Sequence, residues 1–386
     1  MKKKILLFIF ALLILASMVG CKKEFDYNTA MDDAMEKMQN AKQMEASVNM
    51  KFNDDLGVKL NELAKLDTEE EMETSLEELD MLSNTLSNIE LVVNEKVDLD
   101  AFIIDTDMEI NYEGSNFASV DMFMNDGMLF MNEKNLLNQG VIIKFDFLLE
   151  MMDEQGTVFG DIDFIGLIKN QIVTQQKSAD KMFPIINQII DENLEKPEIL
   201  EATIDFNGKS LKADQVKYTL SYRKVLELTK IFLKNEEFIT QYKELMDSQF
   251  EYMEALTIET DETYSEEMLI EFENGINEIV ELIDSILISE DPNTEMLDKY
   301  NLVIDYYFND GLKKIVYDFD FMTVAAEYYS VGEPLTFDIP SEDSNYVISD
   351  QMSMFGITSL INMEKIEELQ NHKLVLDFMN LMTLGY

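Results

Sequence analysis

The sequence predicts an α+β protein in which curved antiparallel β-sheet, of the incomplete-barrel type, is packed with amphipathic helices. Two observations carry this prediction. From about residue 89 to 147, and again after 197, apolar side chains recur at every second position, and Asp-Gly or Asn-Gly pairs separate the runs. This pattern is typical of antiparallel strands joined by tight hairpins. Around these blocks, apolar residues recur at the three- and four-residue spacings of helices.

In the first half of the chain, Met31, Met35, Met38 and Met44 form a stripe that predicts a helix beginning near Thr29. The stretch MEASVNMKFND predicts a strand, and two acidic helical segments follow between about 58 and 88, one of them opened by a capping box at Thr68 and Glu71. Residues 160–194 have a helical pattern, which Pro184 is expected to break into two helices.

The second half repeats the mixture of strands and helices. A strand, an Asn207-Gly208 turn and a second strand lead into two long helical stretches, at about 223–257 and 264–288. A hairpin over YNLVIDYYFNDGLKKIVYDFDF follows, EPLTFDIP is predicted to be a last strand, and residues 356–384 are predicted to end in a helix.

The stretch VDMFMNDGMLFM, residues 120–131, has an Asp-Gly pair at its centre and strands that are apolar on both faces. A surface hairpin needs one apolar face only. The second face is therefore expected either to lie under helices or to line a cavity for an apolar ligand. The candidate lining residues belong to this hairpin and to a similar one near residue 306: Met122, Phe123, Met124, Phe130, Tyr306 and Phe308.

The two hairpins share a pattern, since VDMFMNDG at 120–127 resembles IDYYFNDG at 304–311. Two readings stay open: an internal duplication into diverged halves, or the general preference of Asn-Asp-Gly for tight turns. The predicted organisation is a signal peptide at 1–20, a lipidated tether at 21–28, an N-terminal α+β half at 29–196 and a C-terminal α+β half with a terminal helix at 197–386.

The chain begins with three lysines, an apolar run too short to span a membrane in the ordinary way, and Met18-Val19-Gly20-Cys21. This order resembles the signal and lipobox of bacterial lipoproteins, with Met18 in place of the usual leucine. The resemblance implies cleavage before Cys21, acylation of its sulfur, and anchoring at the outer face of the cell membrane. At about 3.3 Å per residue, the polar tether that follows Cys21 reaches only about 25 Å.

Composition excludes several classes of function. A formal charge of −47 excludes a nucleic-acid partner, because phosphate binding needs a basic surface. Cys21, His372 and Arg223 are each the single residue of their type, which leaves little for nucleophilic catalysis or for a zinc site. His372 is expected to be an exposed or capping residue of a helix. We therefore expect no enzyme, no metal and no cofactor.

Three local patterns could suggest a metal site or a catalytic site. The hairpin methionines have spacings that could bind Cu(I), but they fit core packing better. DTDMEINYEG lacks the glycine and glutamate positions of a calcium loop. Ser178 and Lys181 match S-x-x-K, but no K-T-G or S-D-N tripeptide accompanies them.

The stretch DFNGKSLKADQVKYTLSYRKVLELTKIFLKNEEFI and the later pairing of VIDYYFNDGLKKIVYDFDF with LTFDIP are the most family-like parts of the chain. They resemble a large group of uncharacterised lipoproteins of Gram-positive bacteria. By architecture alone, a curved sheet with helices behind a lipobox is similar to the LolA/LolB and LppX-like carriers, which implies an incomplete barrel around a lipid-sized cavity. The expected function is a lipid-anchored extracytoplasmic binding or carrier module for an apolar ligand. The alternative is a structural or interaction lipoprotein without a cavity.

Overall fold

The structure is a computed structural model. It describes residues 27–53, 56, 58–59, 76–147, 164–256, 263–288, 292–350 and 356–377. The predicted signal peptide, Cys21, most of the tether, and the capping box at Thr68 and Glu71 lie outside these residues. The predicted class is confirmed: a large antiparallel sheet that does not close on itself is accompanied by several helices.

The helices follow the predicted pattern in most places. Their bounds are α1 Tyr27–Asn40, α2 Leu76–Ser87, α3 Phe164–Asn193, α4 Tyr222–Lys234, α5 Glu236–Leu256, α6 Thr263–Ile288, α7 Met296–Lys299 and α8 Met363–Gln370, with 3-10 turns at Pro292–Glu295, Glu342–Ser344 and Ile357–Leu360.

Twelve strands lie in the described part of the chain. Their bounds are β1 Gln43–Phe52, β2 Ile89–Asp98, β3 Ile103–Tyr112, β4 Ser115–Met124, β5 Met128–Glu133, β6 Val141–Lys144, β7 Glu198–Phe206, β8 Lys209–Ser221, β9 Asn301–Phe308, β10 Leu312–Asp318, β11 Met322–Val331 and β12 Tyr346–Ile348.

The chain divides into two compact units, each built from separate stretches of sequence. The first comprises Met1–Gln39, Thr157–Asp205 and Ser210–Leu312, and the second comprises Asn40–Gly156, Phe206–Lys209 and Lys313–Tyr386. The boundary that we predicted between residues 196 and 197 lies inside the first unit, and the division into two repeated halves stays a prediction.

In the first unit, strands in the order β9-β8-β7 carry a layer of helices. Every second residue of β9 is buried, and α4 buries an apolar stripe that includes Val225, Leu228 and Phe232. Helix α4 begins after Ser221, whose hydroxyl accepts the Lys224 amide, so the strand β8 leads directly into a capped helix. Helix α3 packs against α5, and α4 against α6.

In the second unit, the strand order is β12-β6-β5-β4-β3-β2-β1-β11-β10. The pairs from β6 to β10 are antiparallel, and β12 runs parallel to β6. Strand β1 therefore lies between β2, the next strand along the chain, and β11, which begins 270 residues after β1 ends (322 − 52). The short strand β12 was not predicted from sequence.

Two helical predictions are wrong in detail. Helix α3 continues through Pro184, because Met182, Ile186 and Ile190 are buried on both sides of the proline and packing holds the helix together. The stretch 223–257 is two helices, since Asn235 has extended backbone (φ −79°, ψ 110°) and its side chain accepts the Phe238 amide at 2.8 Å. Asn235 thus ends one helix and caps the next.

One prediction for the C-terminal part needs correction as well. EPLTFDIP forms no strand: the Leu335 amide donates to the Gln43 side chain at 2.5 Å instead of to a neighbouring strand, and Phe337 packs against the core of the second unit. Within 356–377 there are a 3-10 turn, the short helix α8 and a further helical segment that starts at Lys373, and the rest of the predicted terminal helix lies outside the described residues.

Candidate functional site

The first unit contains a small apolar cavity between its strands and helices. It is lined by aliphatic side chains of α3 and the residue that follows it, and of α4, β8 and β9: Ile190, Leu194, Leu220, Val225, Leu228, Leu302 and Ile304. Its volume is about 10 Å³, which corresponds to about one water molecule. A cavity of this size is a packing defect, and an apolar ligand does not fit into it.

Tyr306 and Phe308, two of the predicted lining residues, lie on the same face of β9 as Leu302 and Ile304. They are 1% and 2% exposed. The ring of Tyr306 meets that of Tyr218 edge to face at 6.4 Å, a favourable aromatic geometry. Both residues are therefore part of the packed core of the first unit.

The other four predicted residues lie in the second unit, on the β4–β5 hairpin. Phe123 and Phe130 are cross-strand partners and are buried together with Met128 and Ile142. Gly140 lies under the Phe130 ring at a position where a side chain would collide with it. This side of the hairpin is a closed core, which the segment around Phe337 covers.

Met122 and Met124 point to the opposite face, because successive residues of a strand alternate between faces. Met122 is the cross-strand partner of Met131, and Met124 is the partner of Leu129. These side chains are half-buried, and Met131 is 41% exposed. The structure thus brings Phe123 and Phe130 together, and it separates Met122 and Met124 from them by the thickness of the sheet.

The registers of eight strands continue this second face across the sheet, since directly opposed residues share a face. We call it the apolar face. Its members include Met44, Ala46, Val48 and Met50 of β1; Leu91, Val93, Glu95 and Val97 of β2; Ile104, Thr106, Met108 and Ile110 of β3; Ala118, Val120, Met122 and Met124 of β4; Leu129, Met131 and Glu133 of β5; Val141 and Ile143 of β6; Ile315 and Tyr317 of β10; and Val324, Ala326, Tyr328 and Val331 of β11.

The apolar face differs from the β9 face of the first unit in how well it is covered. Val48 is 38% exposed, and most other members are half-buried, whereas Thr106 and Val141 are buried. The four buried residues of β9 are at most 2% exposed. With strands about 4.8 Å apart and about 3.3 Å per residue, the apolar face extends about 30 Å across the strands and about 20 Å along them. Monomeric proteins seldom leave apolar surface of this extent partly open without a binding role.

The opposite face of the same sheet is polar over most of its area and carries paired side chains. Lys314 pairs with Glu327 at 2.7 Å, and Lys134 pairs with Asp121 at 2.6 Å. Amide groups bind further carboxylates, Gln43 with Asp98 and Asn49 with Glu90, each at 2.6 Å. Such pairing is typical of a water-facing surface, so the two faces have different chemistry.

The C-terminal segment closes one margin of the apolar face. The hydroxyl of Tyr112, at the end of β3, donates to the Asp377 carboxylate at 2.6 Å, and burial together with this hydrogen bond raises the pKa of Tyr112. The His372 ring lies 4.8 Å from that of Phe117, and its Nδ1 accepts the Leu374 amide at 3.2 Å. His372 therefore caps a helical turn, one of the two roles predicted for it.

The structure offers no support for catalysis at the S-x-x-K stretch or for copper binding by the hairpin methionines. Lys181 of the S-x-x-K stretch pairs with Glu244 at 2.7 Å. Met128 points away from the other three hairpin methionines. Within the described ranges, no group of His, Cys, Asp and Glu side chains is arranged to hold a metal ion, and no helix has the length and hydropathy needed to cross a membrane.

Sequence reasoning missed most of the apolar face. It found the β4 members because Met122 and Met124 stand beside Phe123 in a stretch that is apolar throughout. The members on β1, β2 and β11 show the same period of two, as in Val93, Glu95 and Val97. That signal could have identified their faces, but no local pattern could have placed β1 beside β11.

The sequence matches no family model and no curated protein. The solved structures that align with it at low similarity include two mycobacterial proteins. The lipoprotein LppX of Mycobacterium tuberculosis aligns with a TM-score of 0.30 and 6% identity, over 80% of this chain and 97% of LppX. LprF of Mycobacterium bovis aligns with a TM-score of 0.30 and 10% identity, over 81% of this chain and 96% of LprF. Similarity at this level identifies no ligand, which has to be inferred from the sheet itself.

Proposed function

We propose that this protein is a non-enzymatic, lipid-anchored extracytoplasmic module that binds or carries an amphiphile, and that the acyl chains of the amphiphile lie on the apolar face. The contrast between the two units carries the proposal. One sheet face, along β9, is sealed by helices, whereas the apolar face of the other unit is aliphatic, rich in methionine and partly open.

The dimensions and side chains of the apolar face suit an acyl chain. A bilayer has a hydrocarbon core of about 30 Å, so one chain is about half that length and fits within the face in either direction. Methionine side chains are flexible and polarizable, and they adapt to ligands of irregular shape. An acyl chain would bury apolar surface at about 25 cal/mol per Å², and it needs no specific hydrogen-bond partner along its length.

Binding can be tested with the mature chain, residues 21–386, carrying Cys21→Ser so that it has no acyl group of its own. We expect native mass spectrometry of this protein, purified without detergent from cells, to show a bound mass that organic extraction removes. Extracted protein should then take up a fluorescent single-chain amphiphile in a saturable manner. Protein that carries no extractable mass and fails to bind the probe would rule the proposal out.

Two neighbouring residues of β1 provide a matched pair of variants. Val48 is on the apolar face and 38% exposed, so Val48→Lys should be tolerated by the fold. Asn49 is on the polar face beside Glu90, so Asn49→Lys keeps a partner for that carboxylate. We expect Val48→Lys to weaken probe binding by about tenfold, since it places a charge against the acyl chain, and Asn49→Lys to leave binding unchanged.

The anchor is proposed from the sequence alone. Cys21 follows an apolar run and small residues, and Lys22 and Lys23 are placed to meet anionic head groups at the membrane surface. Cells grown with labelled palmitate should incorporate label into the protein, and Cys21→Ser should abolish the incorporation. Label in the Cys21→Ser variant would contradict anchoring at this residue.

The alternative is a structural or interaction lipoprotein of the cell envelope that has no ligand cavity. The water-sized cavity of the first unit favours it, and the charge of −47 suits a cationic partner. Capture of such a partner should weaken steeply with salt, whereas uptake of the acyl probe should depend little on salt.

A further inference from the structure

Four exposed apolar side chains lie at the β5–β6 margin of the apolar face, and we call them the margin patch. They are Leu136 and Ile361, each 36% exposed, Met131, 41% exposed, and Met363, 70% exposed. Single exposed apolar side chains are common on proteins. A group of them at one place, in contrast, indicates contact with an apolar partner.

The main chain holds three members of the margin patch together. The segment that follows β5 runs antiparallel to the segment before α8, with Leu137 opposite Ile361. The Asn362 amide donates to the Leu136 carbonyl at 2.8 Å, and Met363 is the first residue of α8. The patch is therefore a fixed part of the second unit.

The margin patch is connected to the apolar face. Met131 belongs to both, and it lies directly opposite Val141 of β6. Val141 is buried in one cluster with Leu360, and Leu137 packs against that cluster. These two leucines adjoin members of the patch in sequence, so apolar side chains connect the sheet with the exposed patch.

The segments that form most of the patch contain no carboxylate. Asp and Glu make up 77 of the 386 residues, one in five, yet none occurs in 134–145 or in 356–363. Glu133 and Glu364 border these segments. The two lysines within them form ion pairs with carboxylates from elsewhere in the chain. The patch is therefore close to neutral, on a chain whose formal charge is −47.

The tether and the charge indicate which apolar partner covers the patch. A tether of about 25 Å keeps the folded chain close to the bilayer that holds Cys21, so the bilayer surface is always within reach. Anionic head groups repel the many carboxylates of the chain. A neutral apolar patch is the part of such a surface that can approach the head groups most closely.

We propose that the margin patch docks the protein on the bilayer to which it is anchored, with Leu136, Ile361 and Met363 inserted between the lipids. This inference rests on the proposed function, because it assumes the anchor. Docking at this margin would let an amphiphile pass between the bilayer and the apolar face without crossing water. Full burial of one such side chain shifts an equilibrium by about tenfold or more, and the tether supplies a high effective concentration.

The test uses the mature chain, residues 21–386, with Cys21→Ser and an N-terminal histidine tag that a nickel-chelating lipid holds on phosphatidylcholine vesicles. Cys21 is the only cysteine of the sequence, so Met363→Cys provides a single site for a polarity-sensitive fluorophore. We expect the emission of this label to shift to the blue on tethering. Lipids that carry a spin label on the acyl chain should quench it.

Ile339→Cys is the matched control for the label. Ile339 is 61% exposed, and it follows Phe337, which packs against the closed core on the other side of the same sheet. The fluorophore at position 339 should therefore keep its emission on tethering. With the label at position 363, Leu136→Asp should lower the ratio of docked to undocked protein by about tenfold, whereas Ile339→Asp should leave it unchanged. Ile361→Asp provides a second variant should Leu136→Asp lower the urea midpoint.

Unchanged emission at position 363, or an equal blue shift at position 339, overturns docking through the margin patch. A blue shift at position 363 that needs no vesicles and grows with protein concentration also overturns it, and identifies a second copy of the chain as the occupant. The histidine tag replaces the acyl groups, and probe uptake is measured on untethered protein. Failure of docking is therefore distinguishable from failure of anchoring at Cys21 or of acyl binding.

Discussion

Phe123 lies directly opposite Phe130 across the β4–β5 hairpin, and both rings belong to one buried cluster. The next cross-strand pair, Met122 with Met131, lies on the other side of the sheet and is partly exposed. One hairpin therefore contributes a closed core on one side and part of the apolar face on the other. Substitutions on its two sides should have different effects.

Gly140→Ala should destabilise the closed side. A Cβ at Gly140 would collide with the Phe130 ring and would approach the Asn345 side chain to 2.8 Å. Overpacking of this kind costs about 1–3 kcal/mol, measurable as a lower midpoint of urea unfolding. Gly275→Ala in α6 is the control: its Cβ meets nothing within 4 Å, so the change should stabilise the helix by about 0.5–1 kcal/mol. Equal midpoints for the two variants would contradict the close approach at Gly140.

The two Asn-Asp-Gly turns should respond differently to the same substitution. Gly311 has a φ of +96°, where alanine is strained by about 1–2 kcal/mol. Gly127 has no such φ, and the side chain of Asn125 stabilises that turn by accepting the amides of Gly127 and Met128 at 2.9 and 3.1 Å. Gly311→Ala should therefore lower the melting temperature clearly, and Gly127→Ala should lower it little. Asn125→Ala should be the damaging change at the first turn.

Asp105→Asn should stabilise the protein at neutral pH. Burial raises the pKa of Asp105, and although Lys96 acts against this, the neighbouring carboxylates add to it. A carboxyl whose pKa is raised in the folded state stabilises the fold at pH values below its pKa in the unfolded state. This stabilisation is lost as the pH rises through the pKa of the folded state. The urea midpoint of Asp105→Asn should exceed that of the parent chain at pH 7, and the gap should close in acid. A difference in urea midpoint that widens in acid would contradict a raised pKa of Asp105.

Asp284→Asn should destabilise the protein at neutral pH, with the opposite dependence on pH. Lys230, which hydrogen-bonds Asp284, and then Lys234 hold the pKa of this carboxyl below its usual range. A lowered pKa gives stability that is present above the unfolded pKa and is lost as the pH falls through the folded one. The difference in melting temperature between parent and variant should therefore vanish below the usual aspartate range. High salt should also reduce it, because the ion pairs of Asp284 are partly exposed.

Local sequence patterns predicted the helices and strands better than they predicted which strands lie next to each other. Period two placed Met108 and Ile110 on one face of β3 and Asp107 and Glu109 on the other, as the structure shows. The hairpin at residues 120–131, which is apolar on both faces, was also predicted correctly. Pro184 and Asn235 were misjudged, because buried isoleucines can hold a helix through a proline, and one asparagine can end a helix without glycine.

The candidate site could be predicted only in part, because it is made by pairing at long range. Met122 and Met124 were identified on the hairpin, but Tyr306 and Phe308 were grouped with them because their motifs are alike, and they lie in the core of the other unit.

The position of β1 between β2 and β11 also constrains the order of folding. Residues 43–52 are made early and can pair with β2 at once, but their other edge stays open until residues 322–331 have been added. Contacts so distant along the chain slow folding, and an open strand edge invites wrong pairing while the chain grows. Completion of the apolar face therefore depends on the last part of the chain, and a truncated product would expose the edge of β1 permanently.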